Sequence, residues 1–156
     1  MFALVLAATL LTASAPPDDM TRGILTDVCL PYVTGETGDT AALEFLGFVP
    51  AVSADDDTRN FQSEDEAYLL RLTTEGSVAD GNLNRVCVIQ ARRGGFDGAK
   101  ASIQPVLRQQ GFAAEADLPA DRSIWIKGGL TVSLRQPAGA AAIVRVTFSS
   151  LDAEGF

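Results

Sequence analysis

The chain is 156 residues long, 47% hydrophobic and 21% charged, with a net charge of −8. That length fits one domain, and that apolar fraction excludes a disordered chain. Histidine is absent, which excludes every mechanism and metal site built on an imidazole.

Residues 1–15 (MFALVLAATLLTASA) carry no charge and end in Ala13-Ser14-Ala15. An apolar run closed by a small-x-small triplet reads as a secretory signal peptide, and it is shorter than the roughly 20 residues that cross a bilayer. On this reading residues 16–156 form a single α+β domain, periplasmic or secreted, with no membrane span in the mature chain. The cysteines agree: Cys29 and Cys87 are an even number in an oxidising compartment. A bridge between them would close a loop worth about 4 kcal/mol in the chain-entropy model. Two inert buried thiols or a redox pair are the alternatives; a redox pair would favour Cys-x-x-Cys spacing.

Asp18-Asp19 lead into a helical stripe at Met20, Ile24 and Val28, with Cys29 beside it, and Pro31 is expected to end that helix. A second short helix spans 41–46, where Gly47-Phe48 reads as a C-terminal stop. Residues 52–66, rich in acids, read as a polar connection; Asp55–Asp57 are a poor calcium loop because Arg59 stands among the ligand positions. Strands are expected at 67–73 and 85–91, a helix at 98–110 ending in Gly111-Phe112, and strands at 123–127, 130–136 and 141–148. Gly128-Gly129 joins two of these as a tight hairpin.

The order α-α-β-β-α-β-β-β predicts an α+β fold: a five-stranded antiparallel sheet with helices packed on one face. It is similar to profilin-type or roadblock-type modules, an analogy of fold that carries no function.

Cys29 on a first helix, Gly47-Phe48, the strand pair Cys87-Val88, Gly111-Phe112 and Trp125 on the next strand together make a loose pattern over residues 20–150. In this the chain resembles small uncharacterised exported proteins of alphaproteobacteria. The resemblance implies a secreted or periplasmic α+β protein with a disulfide, and implies no activity and no catalytic residues.

Charge is uneven. Residues 16–80 carry 14 acids against 3 bases; residues 81–156 carry 6 against 9. If Cys87 faces the helices, strand alternation points Ile124, Ile126, Val132, Leu134, Val144 and Val146 the same way. The other face then shows Arg71, Trp125, Lys127, Arg135 and Arg145, a basic candidate binding face with an aromatic. A second candidate is an anion site where Arg92, Arg93, Gly94 and Gly95 open a helix. That segment is not a nucleotide-binding P-loop, because Ala99 and Ala101 stand where a glycine and a Ser or Thr are required.

No catalytic residues, metal site or cofactor are expected. The overall acidity disfavours nucleic acid. The expected function is a non-catalytic exported protein that binds a protein partner or an anionic envelope component through the open sheet face. The alternative is a small carboxylate-dependent hydrolase of envelope polymers, using acids such as Glu44, Glu64 or Glu66.

Overall fold

A computed structural model describes residues 19–36, 40–53, 55–76, 79–80 and 83–149. The expected signal peptide, 1–15, lies outside them.

Among the described residues the first helix runs from Asp19. Its segments α1 (Asp19–Ile24), a π-helical turn (Leu25–Cys29) and α2 (Leu30–Thr34) follow one another without a break. Pro31 was expected to stop it and does not. Proline has no N–H to give the preceding turn, and its ring crowds the carbonyl four residues back. Here the turn before it is widened, with Leu30 N–H bonded to Leu25 O, so the helix passes the proline. It stops at Gly35, which takes φ 76°. A Cβ at Gly35 would also strike the Arg85 guanidinium, which donates to Val33 O at the helix end (3.1 Å).

Helix α3 (Ala41–Phe45) is short and ends at Gly47, as its sequence predicts. The stop leads directly into strand β1 (Phe48–Ala51), then β2 (Thr58–Ser63), β3 (Tyr68–Glu75) and β4 (Asn84–Ala91). Helix α4 (Gly95–Gln109) follows, then β5 (Ala113–Ala114), β6 (Arg122–Lys127), β7 (Leu130–Arg135) and β8 (Ala142–Ser149). All pairings are antiparallel, in the order β1-β2-β3-β4-β8-β7-β6-β5.

Among the described residues the sheet therefore has eight strands, not five, and the order α-α-β-β-α-β-β-β is corrected. Strands β1, β2 and β5 were unforeseen. Pro50 is tolerated because β1 is an edge strand. In β2 only Phe61 is a large apolar residue on the inner face. Arg59 lies over the Tyr32 ring (5.8 Å), and Ser63 accepts from Tyr68 N–H and donates to Asp65. Local partners thus satisfy polar residues at positions where an apolar alternation would have announced a strand.

Helices cover one face of the sheet, and the core lies between. Residues directly opposite across antiparallel strands share a face. One inner row runs Leu72–Cys87–Val146–Val132–Trp125, and a second runs Phe61–Leu70–Ile89–Val144–Leu134. All ten are buried. A disulfide joins Cys29 to Cys87, Cα atoms 5.4 Å apart, and ties the first helix to the middle of the sheet.

Trp125 is 3% exposed. It was expected on the open face, and the hairpin explains the correction. Lys127 pairs with Leu130 across Gly128-Gly129, so Trp125 must oppose Val132, an inner residue.

Two stability measurements check this packing. Reducing the disulfide is expected to lower unfolding stability in urea by about 2–4 kcal/mol; an unchanged midpoint would contradict a native bridge. Trp125 is the only tryptophan, so intrinsic fluorescence should be blue-shifted and insensitive to iodide. Trp125→Ala should cost about 3–5 kcal/mol; red-shifted, quenchable emission would put the ring outside.

Candidate functional site

The face away from the helices is set by the same register. From β3 to β6, its rows read Leu69–Gln90–Ile143–Arg135–Arg122, then Arg71–Val88–Arg145–Ser133–Ile124, then Thr73–Val86–Thr147–Thr131–Ile126. These rows hold four arginines and no acid. Arg122 stands directly opposite Arg135, and Arg145 is diagonal to Arg135. Direct cross-strand neighbours have Cβ atoms about 5 Å apart and diagonal ones about 7 Å, so the three guanidiniums share one small area.

Like charges placed opposite one another are destabilising. The two ion pairs among the described residues, Arg22–Asp19 and Arg93–Asp65, lie elsewhere. Arg122, Arg135 and Arg145 are exposed and have no carboxylate partner among the described residues. With Ser133 and Gln90 they border a depression of about 430 Å³ over β4, β8, β7 and β6. A second depression of about 230 Å³ adjoins it over β1 to β4, and Val88 and Gln90 line both. Arg71 stands in the second, with Nε 3.4 Å from Asn60 Oδ1.

The open face carries three of the five residues expected on it. Arg71, Arg135 and Arg145 are on it. Trp125 and Lys127 are not. Lys127 Nζ donates to Gln110 O (2.8 Å) and lies over the Phe112 ring (5.8 Å), where a cation suits the C-terminal end of α4. Ile124 and Ile126 take the open positions instead. Arg122 was missed because the strand was begun at residue 123 with inverted parity. Its signal was available: it lies as far before Gly128-Gly129 as Arg135 lies after it.

The second candidate site is occupied by the protein itself. Arg93 Nη2 lies 2.9 Å from Asp65 Oδ2. At the start of α4, Phe96 N–H donates to Gln136 Oε1 (2.7 Å), so a side-chain oxygen stands where an anion would bind. Gly94 and Gly95 take φ 76° and 59°. A Cβ on Gly95 would sit 3.3 Å from Gln136 Oε1 and crowd that contact. Arg92 is exposed.

Every described Asp and Glu is exposed, including Glu44, Glu64 and Glu66. None occupies the apolar pocket that raises the pKa of a glycosidase acid. Among the described residues no group of three or more His, Cys, Asp or Glu could hold a metal ion. No family model, curated protein or solved structure matches the chain.

The Asp65 carboxylate accepts from Ser63 Oγ (2.7 Å) and Ala67 N–H (3.1 Å) and pairs with Arg93. The Ser63 bond, the Ala67 bond and the Arg93 charge hold its pKa below the usual value. The folded pKa is therefore lower than the unfolded one. Ionised Asp65 stabilises the fold above the unfolded value of about 4, and that contribution is lost as pH falls through the folded value. Asp65→Ala should be less stable than the wild type in urea at pH 7, and the gap should close as pH drops below about 4. A gap that stays constant with pH would remove the carboxylate from this role.

Proposed function

We propose that this chain is an exported, non-catalytic binding module that holds an anionic ligand on the open face of its sheet. The ligand is an anionic envelope component or an acidic partner. The observation that carries the reading is the arginine trio, Arg122, Arg135 and Arg145, set in register around one depression whose described lining holds no acid. Arginine suits the role because its planar fork of donors matches carboxylate and phosphate oxygens. Ser133 and Gln90 add neutral hydrogen-bonding groups beside the fork.

Export rests on the apolar segment 1–15. The Cys29–Cys87 disulfide supports it, because disulfides persist in oxidising compartments. No helix among the described residues is long and apolar enough to cross a membrane. The resemblance to small exported proteins of alphaproteobacteria points to the same compartment.

A protein with net charge −8 should be repelled by a polyanionic resin unless one face is locally basic. At low ionic strength the folded protein is expected to be retained on phosphocellulose and to elute as salt rises. Arg135→Glu with Arg145→Glu should flow through at unchanged melting temperature. Flow-through of the wild type, or equal retention of the double variant, would overturn the reading.

A further inference from the structure

The open face is not a plain solvated sheet surface. Such a face would carry polar residues at nearly every outward position. Here Leu69, Val88, Ile143 and Ile124 point outward, each only half-buried. Val52 at the far end is 94% exposed. Val86 and Ile126 point outward too, outside both depressions; the others group differently. Val52, Leu69 and Val88 line the smaller depression, and Val88, Ile143 and Ile124 line the larger one with the arginines. Val88 belongs to both, so the two form one continuous track across the strands. Three arginines stand at its β6–β8 end, while toward β1 the aliphatic groups Val52, Leu69 and Val88 lie beside Arg71 and Asn60.

A plain inorganic anion would use only the arginine end and leave that apolar surface in water. An apolar ligand without charge would leave the three guanidiniums uncompensated. We infer that the face takes a single-chain anionic amphiphile: a carboxylate or phosphate head on Arg122, Arg135 and Arg145, and an aliphatic chain running over Ile143 and Val88 to Leu69. This rests on the reading of the face as an anion site and adds the second half of the ligand. Strands repeat every ~4.8 Å, so the path from β7 to β3 is about 14 Å and accommodates about ten extended carbons.

The track is open to solvent on one side, so a methylene laid in it loses about half of its water contact. Full burial of a methylene is worth about fourfold in affinity, and half burial about twofold. Calorimetric titration with a series of alkanoates from butanoate to dodecanoate, below their micelle concentrations, tests this. Affinity is expected to rise about twofold per carbon and to level off near ten carbons. Octyl phosphate and octanoate, compared at one chain length, distinguish the phosphate from the carboxylate head; tighter binding of either is consistent with the inference. Octyltrimethylammonium should not bind.

Leu69→Gln should flatten the chain-length dependence while leaving retention on phosphocellulose intact. Its melting temperature should be close to that of the wild type, because Leu69 is outside the core. Val88→Thr, which keeps the β-branched shape, is the second variant should Leu69→Gln lose its fold. If phosphocellulose retains the protein but butanoate and decanoate bind alike, the amphiphile inference is overturned and the anion site stands. If neither retention nor alkanoate binding is seen, the anion site itself is overturned.

Discussion

The disulfide between Cys29 and Cys87 decides which side of this sheet is inside. It pins the first helix over β4, and β4 lies in the middle of the strand order. Once Cys87 faces the helix, every other residue of β4 follows by alternation, and antiparallel pairing passes the choice from strand to strand. Val146, Val132 and Trp125 are inside because each lies opposite the one before. Arg145, Arg135 and Arg122 are outside for the same reason. The basic face is therefore a by-product of the core, and shifting β6, β7 or β8 by a residue would bury an arginine and expose a core residue.

Much of this was legible in the residues. Strands β3, β4, β7 and β8 are dense in apolar residues, alternating in β7 and continuous in β4, and both Gly-Phe stops end helices where they stand. At the second, Phe112 N–H reaches back to Leu107 O. What escaped reading did so for particular reasons. Strand β2 holds Arg59 and Ser63 on its inner face, each satisfied by a local partner, so hydrophobic pattern could not find it. Strand β1 contains a proline that only an edge position permits. The case of Trp125 is different. Ile124 and Ile126 look like the inward pair of a strand, and hydrophobicity alone selects them. Hairpin arithmetic selects Trp125, since a two-residue turn at 128–129 leaves no other partner for Val132. Where the two disagree, turn geometry prevails, because register is set by backbone hydrogen bonds across the whole ladder.

The same correction changes the meaning of the site. With Trp125 and Lys127 removed from the open face, its cations in these rows are all arginines, set among aliphatic and neutral polar groups. The anion site expected at the start of α4 disappears for a physical reason. Asp65 neutralises Arg93, and Gln136 fills the helix end. The open-face trio lacks such intramolecular compensation among the described residues, which separates a basic group that stabilises the fold from one available to a ligand.

The widened turn at Leu25–Cys29 has a consequence for the length of the first helix. A π turn contains one residue more than the α-helical turn it replaces. Deleting that residue would restore regular geometry and rotate Asp19–Ile24 by about 100° relative to Leu30–Thr34. Thr21 and Ile24, both fully buried, would swing away from the core while Cys29 remained covalently tied to β4. The extra residue is thus a phase adjuster: it lets one continuous rod meet two anchors, a covalent one and an apolar one, that an unbroken α-helix would present on different sides.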